Sequence, residues 1–115
     1  MRVLVLRTSA TWDLPNGRLE PGETEFAAAQ REVVEGTGFA DLDFPFGDAH
    51  RDALPSADSK VASYYLAETD EAEVQAAPCK QHDEWRWVSF DEAEDLLPPR
   101  LALVLDWARA TLDGR

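Results

Sequence analysis

Gly17, Glu23, the pair Arg31-Glu32, Glu35 and the closing Gly38-Phe39 are the residues best placed to do chemistry in this chain. If the stretch from residue 23 onward is helical, Glu32, Glu35 and position 36 stand at i, i+3 and i+4. Their side chains then emerge on one face, one turn apart. Carboxylates so placed suit Mg2+, which takes hard oxygen ligands, keeps some of its waters and is usually held by one or two carboxylates plus phosphate oxygens. A cation held there would neutralise a phosphate chain and activate a water for in-line attack. Arg31 can brace Glu35 at i+4 or reach back to Glu23, and Gly17 and Gly22 let a loop backbone approach metal and phosphate closely. Taken singly, each charged residue fits an ordinary solvated helix face with i,i+4 ion pairs. The joint spacing carries the signal, because it is expected by chance in roughly one chain in a million of this composition.

The elements that must position these residues can be read from the flanking sequence. Arg2 to Arg7 is an apolar β run with charged ends. Trp12 to Pro15 is expected to be extended, since a residue before proline avoids the α region. Asn16-Gly17 and Pro21-Gly22 are turn signals, so the stretch between them reads as a loop. Glu23 to about Val34 reads as a helix with an acidic first turn, an Ala27-Ala28-Ala29 core of high propensity, and Gly36 and Gly38 as stop signals. One or two strands are expected within Asp41 to Leu54, then a turn at Pro55 to Ser59. Strands are expected at Lys60 to Glu68 and Glu84 to Val88, with Trp85 and Trp87 on one face and Arg86 on the other. A short helix over Ser89 to Leu97, capped by Ser89 or Asp91, precedes the Pro98-Pro99 break and a last helix over about Arg100 to Leu112. This order predicts an α+β domain, a mixed β-sheet packed between helices, with residues 1–115 as one domain.

Composition narrows the partners. The 115 residues carry a net charge of −12, the wrong sign for non-specific binding to DNA or to an anionic membrane, and the right one for recruiting divalent cations. Solubility alone would explain that charge as well. Cys79 is the single cysteine, so no intrachain disulfide can form and nothing points to secretion. The start has no signal-peptide architecture and no apolar run is long enough to span a bilayer, so a cytoplasmic location is expected.

The spaced set Gly17, Glu23, Arg31, Glu32, Glu35, Gly38 resembles the signature box of the Nudix hydrolases, G-x5-E-x7-R-E-U-x-E-E-x-G-U with U apolar. Three further segments resemble asymmetrical diadenosine tetraphosphate hydrolases. They are Trp12 to Glu23 (W-x-x-P-K-G-H-x-E-P-G-E in the family), Lys60 to Glu68 (K-x-x-x-Y-x-L-A-E) and Gln81 to Trp87 (E-H-x-x-aromatic-R-W). The resemblance covers roughly Arg2 to Trp107 and implies a Nudix α/β/α sandwich. It implies a hydrolase needing Mg2+, with Mn2+ as the alternative, and a small-molecule nucleotide substrate. Glu32 and Glu35 would be the catalytic metal ligands, Glu32 the better placed for base work, and the backbone carbonyl of Asn16 would complete the metal shell. Gly17, Gly22, Glu23, Arg31 and Gly38 would brace the box, Lys60 and His82 would touch phosphate oxygens, and Tyr64 and Trp85 would stack on a purine.

The chain departs from the family pattern where it bears on activity. Gly36 replaces a metal-binding glutamate, and Gln81 replaces a glutamate expected to bind metal or activate water. A Gln amide keeps a carbonyl oxygen but can neither take a proton nor supply charge. Asn16 stands where the family has lysine, and the chain begins on the strand that a further strand usually precedes. A missing strand would leave an open sheet edge, which favours a homodimer. Three readings follow, the last of them a scaffold whose site is vestigial and which serves as an interaction module. One is a pyrophosphohydrolase with weakened activity on a nucleoside polyphosphate, a dinucleoside tetraphosphate first, with nucleoside triphosphates, capped or triphosphorylated RNA ends and nucleotide sugars behind it. Another is a Nudix-fold nucleotide-binding or regulatory module that holds a nucleotide without cleaving it.

Overall fold

The structure is a computed structural model and describes residues 2–8, 11–15, 20–55, 62–70 and 84–114. Its elements run β1 (Val3–Thr8), β2 (Thr11–Asp13), α1 (Glu25–Thr37), β3 (His50–Asp52), β4 (Ser63–Tyr65), β5 (Glu84–Val88), α2 (Phe90–Leu96), a 3-10 turn (Pro99–Leu101) and α3 (Ala102–Asp113). The α+β class is as read from the sequence. None of the described helices is long and apolar enough to cross a membrane.

The apolar run at the start of the chain becomes the central strand of a three-stranded sheet ordered β2-β1-β5. β5 pairs along β1 from Val3↔Val88 to Arg7↔Glu84, and β2 pairs only with its far half, Leu6↔Asp13 to Thr8↔Thr11. β3 and β4 form a separate two-stranded sheet, extended by an isolated bridge between Asp43 and Glu68. Every described pairing is antiparallel, so the mixed sheet expected from the element order is not seen among the described residues.

Period-two alternation divides β1 between two apolar layers. Val5 and Val88 face α2 and α3, packing with Ala93, Leu97, Leu101 and Val104. Leu4 and Leu6 face the other way, toward Phe39, Leu42 and Trp87. Val5 and Leu101 are fully enclosed, and each such side chain contributes about 1.5–3 kcal/mol through burial.

α1 begins later and ends later than its sequence suggests. Thr24 caps it, its hydroxyl accepting from the Ala27 N–H at 3.1 Å. The helix passes through Gly36 and stops only at Gly38, whose φ of 76° lets its N–H return to the Val34 carbonyl at 2.8 Å. Gly36 is therefore an interior residue and not a terminator. Thr37 explains the extra turn. Its side chain is fully buried, its hydroxyl donates to the Val33 carbonyl at 2.5 Å, and it accepts from the Phe39 N–H at 3.2 Å. These contacts outweigh the roughly 1 kcal/mol that an internal glycine costs relative to alanine. At α2 the cap is Ser89 and not Asp91, in a reciprocal box with Glu92. The strand expected over Lys60 to Glu68 is regular only at Ser63–Tyr65, and residues 56–61 lie outside the described part.

The two sheets do not share a described backbone ladder. Between them lies a largely apolar cavity of about 410 Å³. Residues 2–4 run along one side of it and residues 63–69 along the other, while α1 (Ala29, Val33) and α3 (Val104, Ala108) contribute to its walls.

The end of α1 yields a test of opposite signs. Gly38→Ala should destabilise by about 1 kcal/mol because a Cβ is strained at that φ. Gly36→Ala should stabilise by about 0.5–1 kcal/mol, since a Cβ there meets nothing within 4 Å. Urea unfolding of both variants decides it; equal effects would contradict a helix that ends at Gly38.

Candidate functional site

Arg31 organises the site. Its guanidinium grips Glu23 in a fork, Nε to Oε2 at 2.8 Å and Nη2 to Oε1 at 2.9 Å. The same side chain also donates through Nη1 to Glu32 Oε1 at 2.8 Å and to Glu35 Oε2 at 3.2 Å, with Glu20 at 3.6 Å. Both sequence expectations for this arginine, bracing Glu35 and reaching back to Glu23, hold together in one geometry. Glu23 also closes the turn before the helix: its Oε1 accepts from the Glu20 N–H at 2.8 Å, and its own N–H donates to the Glu20 carbonyl. Gly22, at φ 84°, makes that turn possible.

These contacts set the charges. The Glu23 carboxyl is held below the ordinary glutamate value, first by the hydrogen bond from Arg31 and then by the Glu20 N–H. Arg31 is pushed above the ordinary arginine value, chiefly by its hydrogen bond to Glu23. The pair is ionised throughout the neutral range.

Glu32 differs from the other carboxylates because it is buried, only 8% exposed. One of its oxygens takes the Arg31 hydrogen bond; the other, Oε2, has no hydrogen-bond partner among the described residues. A buried carboxylate oxygen left bare is costly, and native proteins retain such groups where something else fills the coordination. Glu35, three residues on and 47% exposed, lies on the same face. These residues fit a divalent cation of the Mg2+ type, with two carboxylates from the protein and the remaining positions left to water and phosphate. No group of three or more potential ligands forms among the described residues. That count agrees with Gly36, which occupies the i+4 position from Glu32 where a third carboxylate would stand.

The remaining sequence-predicted residues fare differently. Asn16, Gly17, Lys60, Gln81 and His82 lie outside the described residues. Gly38 is the left-handed cap of α1, and Trp85 is 36% exposed on β5. Tyr64 is 6% exposed and packs in the apolar core, with its hydroxyl 3.3 Å from Asp13 Oδ1. Alternation along β4 puts Tyr65 on the opposite face, against Phe26 at 5.0 Å and His50 at 5.3 Å. Two adjacent tyrosines gave no sequence signal for which one turns inward. The side chains of Asp13 and Arg100 meet at 3.2 Å, a pairing no sequence signal announces, because the two lie far apart in the chain and Asp13 occupies an unspecified position of its segment.

The fold and this site define a class, and comparison with known proteins agrees with it. The NUDIX domain family profile matches residues 1–108, and the chain belongs to that family. The asymmetrical bis(5'-nucleosyl)-tetraphosphatase of Sus scrofa is 31% identical over 85 residues, 71% of this chain and 58% of that protein. The chain therefore spans little more than half the length of that relative. A putative 8-oxo-dGTP diphosphatase 2 of Mycobacterium tuberculosis is 30% identical over 115 residues, 98% of this chain and 79% of that one. A crystal structure of a C. elegans Ap4A hydrolase binary complex superposes with a TM-score of 0.82 at 26% identity, covering 99% of this chain and 89% of that one.

The depressed Glu23 gives a pH test. A carboxyl whose folded value lies below its unfolded value adds stability that is present above the unfolded value and lost as pH falls through the folded one. The thermal midpoint should drop as the solution is acidified below the ordinary glutamate range. Glu23→Gln should start lower at neutral pH and drop less; parallel curves for the two proteins would show that the Arg31–Glu23 fork contributes nothing.

Proposed function

We propose that this chain is a divalent-metal-dependent pyrophosphohydrolase acting on a nucleoside polyphosphate, with a dinucleoside tetraphosphate as the first candidate. The observation that carries the reading is the buried Oε2 of Glu32, without a hydrogen-bond partner among the described residues, one helical turn from Glu35. Bound Mg2+ or Mn2+ would supply charge neutralisation of the phosphate chain and a water of lowered pKa. The chain's own residues do the rest. Arg31 restrains the Glu32 carboxylate by holding Oε1, which leaves Oε2 to the cation. Glu32 and Glu35 supply the hard oxygens, and Glu32 is the base that takes the proton of the attacking water. Asn16, through its backbone carbonyl, is assigned to the metal shell, Lys60 and His82 to the phosphates, and Trp85 to stacking on the base. The relatives named for tetraphosphate hydrolysis favour that substrate over a nucleoside triphosphate, and the cytoplasm is the compartment assigned.

The alternative, a module that binds nucleotide without cleaving it, is favoured by Gly36. One carboxylate fewer on that face weakens the hold on the cation. A nucleotide that raises the thermal midpoint with no turnover would support it.

Release of phosphate or nucleotide from a panel led by diadenosine tetraphosphate, with Mg2+ or Mn2+, separates the two. Turnover by the wild type is expected. Glu32→Gln should lower it by about 10²–10⁴-fold, the usual loss with a general base, while leaving the thermal midpoint unchanged or raised. Gly36→Glu should increase turnover and lower the metal requirement, since the site has room for the side chain's first atom. A silent wild type restored by Gly36→Glu would make the natural protein a binder. Residues 3–5 of β1 have no described strand partner on the β2 side, and we assign a homodimer to that edge; a monomeric mass by light scattering would sink it.

A further inference from the structure

The cavity between the two sheets is bounded by strand edges as well as by side chains. β5 pairs along β1 from Val3 to Arg7, whereas β2 reaches only Leu6, Arg7 and Thr8. The second edge of residues 3–5 therefore has no strand partner among the described residues, and residues 2–4 line the cavity. β4 likewise has a described strand partner, β3, on one edge only. The Ala62 carbonyl accepts from the Ala53 N–H at 2.9 Å on that edge, so alternation turns the backbone groups of Ser63 and Tyr65 to the other. Residues 63–69 line the cavity too.

Helices close its faces. Val104 and Leu105 of α3 pack on the side of β1 that carries Val5, and Phe39, just past α1, packs on the side that carries Leu4. Ala29 and Val33 of α1 and Val104 and Ala108 of α3 all line the space. An occupant thus meets apolar groups on both faces and backbone donors and acceptors along both edges. A lipid tail or a flat aromatic ring meets the first condition but leaves the strand edges unpaired, at the cost of their hydrogen bonds. An extended polypeptide meets both. Because both faces are covered, its side chains must be apolar at successive positions. Charge selects what flanks them. Glu68 exchanges backbone bonds with Asp43, and Asp41 accepts the Thr69 hydroxyl and the Asp70 N–H. Four carboxylates so gather at the end of β4, in a chain of net charge −12, while Arg2 is the one cation among the described lining residues.

We propose that this cavity of about 410 Å³ is a slot for a strand donated by another polypeptide, about five residues long, apolar at successive positions and flanked by Lys or Arg, which pairs with β1 and β4 at once. The inference goes beyond the hydrolase reading and does not rest on it. The described strands of a folded second copy are seated in that copy's own sheets, so a homodimer reaches the edge of residues 3–5 without entering the space between α1 and α3. Donated strand and homodimer exclude each other at that edge.

The probe is a fluorescein-labelled peptide, Lys-Lys-Val-Ile-Val-Leu-Val-Lys-Lys, titrated with the full chain and read by fluorescence anisotropy. One-to-one binding is expected. N-methylation of alternate peptide bonds in the probe removes donors and keeps the side chains, and should weaken binding by about tenfold or more. Exchange of its lysines for glutamates should weaken it by a similar factor at low salt. Ala29→Trp, which puts a large ring into the slot, should also lose about tenfold, while Leu103→Trp, at an exposed position of α3, should match the wild type. Undiminished binding of the N-methylated probe, or by Ala29→Trp, would mean attachment outside the slot and would overturn the proposal. So would an anisotropy that stays flat to about 1 mM protein. If Ala29→Trp does not fold, the N-methylated probe on the wild type decides alone. A wild-type dimer that takes up no probe and that Ala29→Trp splits into monomers would put a second copy in the slot and overturn the proposal as well.

Discussion

One guanidinium holds the site together. Arg31 is the cation at the centre of four glutamates, Glu20, Glu23, Glu32 and Glu35, in a chain that already carries a net charge of −12. Like charges on neighbouring turns of a helix repel. Here the repulsion is tolerated because the most strongly bound carboxylate, Glu23, is fully engaged in the fork and the most buried, Glu32, shares the same nitrogen with Glu35. The arginine does not neutralise the set; it leaves an excess of negative charge on one helix face, with an oxygen that has no hydrogen-bond partner among the described residues at its most shielded point. Without Arg31, that burial of Glu32 would have to be supported by a bound cation alone.

Everything that orients α1 therefore orients the charge excess. Thr24 starts the helix, buried Thr37 carries it past Gly36, and Gly38 turns the chain so that Phe39 stacks on Trp87 at 6.1 Å between centroids. Phe39 in turn packs on Leu4 and Leu6, so the helix end is tied to the central strand. The opposite layer, with Val104 and Leu105 of α3 against Val5 and Val88, clamps that strand from behind.

Much of this was legible in the sequence, and the parts that were not have physical reasons. The apolar run of β1 and the alternation in β5 are period-two signals, and they placed both strands within a residue of their ends. The box residues fell on one helix face because spacing alone dictates that. α1 runs past Gly36 because a glycine is a stop only when the backbone must turn left-handed there, and the buried contacts of Thr37 defer that need by two residues. Side-chain chemistry does not say which of the successive tyrosines, Tyr64 or Tyr65, faces the core. The Asp13–Arg100 contact is a product of the tertiary fold, and no local pattern announces it.

The gap between the three-stranded sheet and the β3–β4 pair has a different kind of consequence. A hydrogen-bonded ladder can slip only by whole residues, and each slip turns every side chain to the other face. Where two sheets meet through side chains around a cavity, as they do beside Ala29, Val33 and Val104, no such quantum applies. Their separation and tilt are set by the volumes of the groups between them, a graded quantity. In this protein the spacing of the β3–β4 pair from the β2-β1-β5 sheet therefore follows the sizes of the side chains packed around the cavity.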